Sequence, residues 1–86
     1  MGEEKIGVVT HYFSKVGAAT MKLTDGDLKV GDEIHVKGHT SDFKQVVESM
    51  QFDHQPVTEA KKGSEIGMKI KEQVREHDVV YRVVPE

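Results

Sequence analysis

The sequence predicts an all-β fold, a small closed antiparallel β-barrel of about six strands. Three observations carry this. The apolar residues fall in short runs that mostly alternate with polar ones, as in half-buried strands. Those runs are rich in β-branched and aromatic residues and are separated by Gly- and Asp-bearing turns. The chain has 86 residues, enough for one domain at positions 1–86 with a core at 6–83, and closure spares so small a sheet its exposed edges.

Ile6 to Phe13 reads as the first strand. Ile6, Val8, Thr10 and Tyr12 fall on one face, and Gly7, Val9, His11 and Phe13 on the other. Ser14-Lys15-Val16-Gly17 connects it to Ala18–Leu23, where Ala19, Met21 and Leu23 alternate inward. Asp25-Gly26-Asp27 is a turn in which glycine tolerates positive φ and aspartate bonds to nearby backbone. Leu28 and Val30 are apolar anchors before a Gly31-Asp32 turn. Ile34 and Val36 then alternate with His35 and Lys37. Phe43 to Phe52 is the longest candidate strand, with a bulge near Ser49 to bring both Val47 and Met50 inward.

Pro56 excludes a central strand from positions 53–62. Val57 and Ala60 fit a single helical turn capped by Gly63. Ile66, Met68 and Ile70 alternate as a strand, although Ile66, Ile70 and Val74 also share a helical face that Ser64 could cap. Gly67 weighs against that helix. Val79–Val84 closes the chain before Pro85.

Composition narrows the function. The net charge is -3, with 12 basic against 15 acidic residues, so tRNA or another polyanion is disfavoured as a ligand. Lys61, Lys62, Lys69 and Lys71 read as a solvated face. There is no cysteine, hence no disulfide or thiolate metal site, and a reducing cytoplasmic setting is expected. No apolar run approaches the roughly 20 residues of a membrane helix, and the first residues do not read as a signal peptide.

Two strings of the sequence stand out. Leu28-Lys29-Val30-Gly31-Asp32-Glu33-Ile34 is followed, at a spacing that suits one barrel, by Ala60-Lys61-Lys62-Gly63-Ser64-Glu65-Ile66-Gly67. Together they resemble the second domain of the translational GTPases, which include elongation factors Tu and G, initiation factor 2 and the selenocysteine factor. The resemblance covers Ile6 to Val83 and implies a closed β-barrel with a strand at Ile66. It assigns structural roles to Leu28, Val30, Gly31, Asp32, Ala60, Gly63 and Gly67, with Val30, Ile34, Val47, Met50, Val57, Ala60 and Ile66 filling the barrel. In elongation factor Tu this domain helps to hold the aminoacyl end of tRNA beside the GTPase domain. A related barrel is also appended to some collagenase-like (U32) peptidase-family proteins.

No Gly-x-x-x-x-Gly-Lys-Ser/Thr loop is present, so GTP is not expected as a ligand of this chain. His35 and His39 have His-x-x-x-His spacing, but without a third ligand no metal is expected. No serine sits in a nucleophile elbow, Asp53 and His54 would point apart on an extended segment, and neither a catalytic residue nor a cofactor is expected. Candidate binding residues are His39, Thr40, Asp42 and Phe43, in a polar loop of the kind that carries recognition, and His11, Tyr12 and Lys15, which could stack on a base or anchor a protein. The expected function is a non-enzymatic binding module that docks on a protein or ribonucleoprotein linked to translation or RNA metabolism, with no membrane partner. The alternative is an accessory subunit that completes a larger enzyme in trans, either a translational GTPase or a U32 peptidase-family protein.

Overall fold

Among the residues described by the computed structural model, 2–84, there are ten strands and no helix. They are β1 (Gly2–Phe13), β2 (Ala18–Leu23), β3 (Leu28–Lys29), β4 (Glu33–Lys37), β5 (Asp42–Val46), β6 (Met50–Phe52), β7 (Gln55–Val57), β8 (Glu59–Ala60), β9 (Glu65–Lys69) and β10 (Val79–Val84). Pro85 and the outer limits of the 1–86 domain lie outside the described residues. No helix among them is long and apolar enough to cross a membrane.

Eight strands form one antiparallel sheet in the order β5-β4-β10-β1-β2-β9-β6-β7, and β3 and β8 form a second, two-stranded sheet. The main sheet curls so that Val9, Met21, Val36, Met50, Ile66 and Val80 share one buried cluster. The expected closed barrel is corrected here. The ladder has two free ends, β5 and β7, because the chain leaves β5 at Val46 and resumes at the far end with β6.

The same crossing corrects the single strand expected from Phe43 to Phe52. Val47 is buried, but its backbone turns to the loop before β4. Its N–H donates to the Asp32 carbonyl at 2.8 Å, and its carbonyl accepts from Gly31 N–H at 2.9 Å. Backbone groups bonded there are not free to extend a ladder.

The first strand is longer than predicted, and two bulges rearrange its faces. Ile6 is skipped in the register with β10, and Thr10 is skipped in the register with β2. Each extra residue shifts the alternation by one, so Ile6 and Val9 are both buried although strict alternation separates them. Gly7 lies where β1 crosses β2, and a Cβ there would strike the Lys22 carbonyl.

The two recognisable strings meet each other. Leu28 pairs with Ala60, Asp27 accepts a bond from Lys62 N–H at 2.7 Å, and Val30 N–H donates to the Thr58 carbonyl at 2.9 Å. The helical turn expected at Val57–Ala60 is therefore a strand pairing. Val30, expected in the core, is 37% exposed, because it opens the turn in which Gly31 takes φ +100°. Val57 is half-buried against the core. Gly63 also adopts a left-handed φ of +97°, whereas Gly26 is not left-handed and packs on Ile6. The alternation from Ile66 resolves as strand β9, which excludes the helix from Ser64. Pro56 sits in edge strand β7, where no ladder needs its missing N–H.

Candidate functional site: a groove on the outer face of the sheet

Alternation on β2 and β9 sends Ala19, Met21, Ile66 and Met68 into the core, so Ala18, Thr20, Gly67 and Lys69 face outward. The register sets them in two lateral rows. One runs His11–Thr20–Gly67–Gln51–Pro56, and the next runs Phe13–Ala18–Lys69. Small side chains in the middle of both rows leave a trough of about 770 Å³, within the size range of ligand sites.

Aromatic side chains from two hairpins wall this trough. Phe13 stands at the end of β1 and is 45% exposed, Val16 in the following turn is 67% exposed, and Phe52 at the tip of β6 is 47% exposed. Clustered exposure of this kind is uncommon on a surface without a partner. The His11 ring lies 4.4 Å from the Phe13 ring, tilted by 59°, so the two side chains pack on each other. On the opposite wall Asp53 and His54 make the β6–β7 turn, with φ of 54° and 63°. That is the left-handed pair a two-residue hairpin demands, and it corrects the extended geometry expected for them. At the lower edge the Thr20 hydroxyl donates to Thr10 at 2.8 Å, and Thr10 donates to Glu65 at 2.6 Å.

Gly67 is the informative residue of the floor. Its φ is not left-handed, and a Cβ placed on it would have its nearest neighbour at 3.8 Å. Neither backbone conformation nor internal packing requires a glycine. A glycine inside a strand weakens it and often marks close approach by a ligand or another backbone.

The sequence-derived candidates divide. His11 does not line the trough, but its ring touches that of Phe13, which does. Tyr12 turns inward and packs against the core. Lys15 is exposed in the β1–β2 turn, beside the wall rather than on it. His39 and Thr40 are exposed in the loop at the other end of the sheet. Phe43, expected in a binding loop, is 7% exposed and belongs to the core, because it begins the inward alternation of β5. Phe13, Val16 and Phe52 were missed as site residues. The outward alternation of His11 and Phe13 could have revealed the first.

Asp42 is tied to the one buried histidine, although alternation with Ile34 and Val36 sets His35 on the other side of its strand. His35 is 9% exposed, with Nδ1 at 2.7 Å from Glu3 and Nε2 at 2.5 Å from Asp42. Two carboxylate acceptors favour the doubly protonated ring. The bond to Asp42 raises the His35 pKa above its ordinary value despite burial, with Glu3 adding to it. The bond from His35 correspondingly lowers that of Asp42. Both ring nitrogens are thus engaged, and His35 and His39 do not converge. Among the described residues no group of three or more His, Asp or Glu is placed to hold a metal ion. Of the basic cluster, Lys61 lies 3.5 Å from Glu59 and 3.9 Å from Asp27, so part of its charge is balanced locally.

No protein-family model matches the chain. The chain is 44% identical over 78 residues to an uncharacterized protease of Methanocaldococcus jannaschii, covering 90% of this chain and 19% of that protein. It is 38% identical over 78 residues to a collagenase of Porphyromonas gingivalis, covering 90% of this chain and 22% of the collagenase. The chain therefore spans about a fifth of the length of the curated relatives it matches. Its fold is that of the C-terminal domain of a Geobacillus thermoleovorans protein described as a U32 peptidase, with a TM-score of 0.87, 21% identity, and coverage of 94% of this chain and 93% of that one.

These relatives correct the assignment to the elongation factor Tu second domain and the translation-linked role drawn from it: the matching proteins carry protease, collagenase and U32 peptidase names. They also run against the expectation of a non-enzymatic chain, because the relatives carry enzyme names, and they favour the alternative of a U32 peptidase-family association over the translation-linked one. That expectation came from seeking a whole catalytic constellation in a chain one fifth as long as its enzyme-named relatives. The Gly31 and Gly63 strings mislead because they encode two left-handed turns and the β3–β8 pairing, which more than one family of β domains can share.

Proposed function

We propose that the chain acts as the accessory β domain of a U32 peptidase-class enzyme, docking on the larger part of that enzyme and supporting its action on a polypeptide substrate. The observation that carries this reading is the 44% identity over 78 residues to a protease of which the chain spans 19%. A segment matching over nine-tenths of its own length, inside a protein about five times longer, is the signature of a module. The partner is a protein chain. The net charge of -3 and the acidic neighbours of Lys61 leave little surface for a polyanion.

A domain exchange tests the proposal. The matching segment of the M. jannaschii protease is deleted, or replaced by this chain, and cleavage of collagen and gelatin is measured. The replacement is expected to retain activity that the deletion loses. Equal loss in both proteins would refute the accessory role.

A further inference from the structure

We infer that the trough between Phe13 and Phe52 is the surface on which this domain receives an extended apolar segment of the larger enzyme chain, and that Gly67 is the residue that lets the segment's backbone lie down on the sheet. The inference rests on the accessory-domain reading and adds to it a face and a mode of contact.

Three features point to that occupant. Three exposed apolar residues, two of them aromatic, are gathered at one end of one sheet face: Phe13 and Val16 come from the β1–β2 hairpin and Phe52 from β6. Apolar residues brought together from separate hairpins form an anchor site of the kind that dominates protein–protein contacts. The charges nearby are mixed, with Glu65 and Asp53 opposing Lys69 along the same trough, so the site selects neither a polyanion nor a polycation. Polypeptide backbone with apolar side chains fits such a lining. Finally, the matched relatives carry about four-fifths of their length outside the matching segment. A large body of polypeptide therefore accompanies this domain in each of them.

Gly67 supplies the mode of contact. It lies between Thr20 and Gln51 in the lateral row, where a side chain would meet only ordinary contacts, at 3.8 Å from Thr20 and 3.9 Å from the Ala19 carbonyl. An incoming chain can reach the sheet there without meeting a Cβ, while its side chains fall toward Phe13 on one side and Phe52 on the other. The tilted His11 ring packs on Phe13 at one wall, and the Asp53–His54 turn forms part of the other.

Hydroxyl-radical footprinting tests this on the isolated chain and on the full-length exchange protein, with Tyr81 and His39 at the far end of the sheet as controls. Phe13 and Phe52 are expected to lose reactivity several-fold in the exchange protein while the controls do not. Gly67→Leu is expected to restore that reactivity in the exchange protein and to leave the melting temperature of the isolated chain within a few degrees. Unchanged reactivity of Phe13 and Phe52 in an active exchange protein would overturn the inference and leave the accessory role standing. An exchange protein inactive like the deletion would strike the accessory role itself. Protection already present in the isolated chain, with a dimer in sedimentation, would assign the face to a second copy and overturn the inference. A Gly67→Leu protein still protected at both phenylalanines would refute the role of the floor.

Discussion

The side chain of Gln45 takes the place of a missing strand pairing beside Lys71. Its Oε1 accepts from the Lys71 N–H at 2.9 Å, and its Nε2 donates to the Lys69 carbonyl at 3.0 Å. One amide thus bridges β5, an end of the sheet, to the chain leaving β9. Two neutral hydrogen bonds of this kind contribute roughly 1–2 kcal/mol together. Gln45→Ala is expected to lower the melting temperature by several degrees, since about 1 kcal/mol corresponds to about 4–8 °C in a domain of this size. Gln45→Glu is expected to lose nearly as much, because a carboxylate faces the Lys69 carbonyl without a donor. Thermal and urea denaturation check both.

The His35 clasp makes stability depend on pH with a defined sign. Its folded pKa lies above the ordinary value of 6.5, so its contribution is complete below about pH 6.5 and fades as pH rises through the folded value. Asp42 has a folded pKa below 3.8, so its contribution is present above about pH 3.8 and fades as pH falls through the lowered value. The maximum is expected between those limits. Glu3 faces the ring from β1, Lys44 from β5 lies 4.0 Å from Glu3, and Lys37 lies over Tyr81. Melting temperatures are expected to fall between pH 6.5 and 8 in the wild type and to be flat there in His35→Leu. An NMR titration of the His35 ring should place its midpoint above 6.5.

Glycine substitutions should separate three kinds of requirement. At Gly38 a Cβ would strike the carboxylate of Asp78, which is buried and accepts from Arg75 N–H at 3.0 Å. Gly38→Ala is expected to cost about 1–3 kcal/mol through forced displacement. Gly31→Ala is expected to cost about 1 kcal/mol through its left-handed φ alone. Gly67→Ala has room and an extended backbone and is expected to be neutral or stabilising by up to about 1 kcal/mol. Chemical denaturation of the three variants decides among them.

The β6–β7 turn carries a local strain that sequence can relieve. Asp53 and His54 both hold left-handed φ, a geometry for which Asn-Gly is favoured. Asp53→Asn with His54→Gly is expected to stabilise by about 1 kcal/mol, seen as a rise of several degrees in the melting temperature. A fall would mean that the His54 side chain makes a contact worth more than the strain.

What the sequence revealed depended on how far apart the interacting residues lie. Ala19, Met21 and Leu23, like Ile66 and Met68, announce their strands by alternation, because the periodic burial of one strand is a local property. The path from Val46 to Met50 is not local. It is fixed by bonds from Val47 to residues 31 and 32, and a run of strand-forming residues reads the same whether or not the chain crosses the domain. His35 became a buried ion-pair partner through Glu3, which is 32 positions away. The bulge at Ile6 undid the face assignment of Val9, since one extra residue inverts every side chain beyond it. At the trough, Gly67 was legible as a motif residue, whereas Phe13 shared an expected face with His11 but was not singled out. Phe52 was hidden inside an overlong strand.

The first and last described strands lie side by side. Gly2 pairs with Val84, and the ladder continues to Val8 opposite Val79. Entry and exit of the chain thus share one doorway in the structure. A host sequence could carry this domain at its terminus or within a surface loop and feel the same small footprint in either case. Two connections made side by side disturb less of a bearing surface than two made far apart.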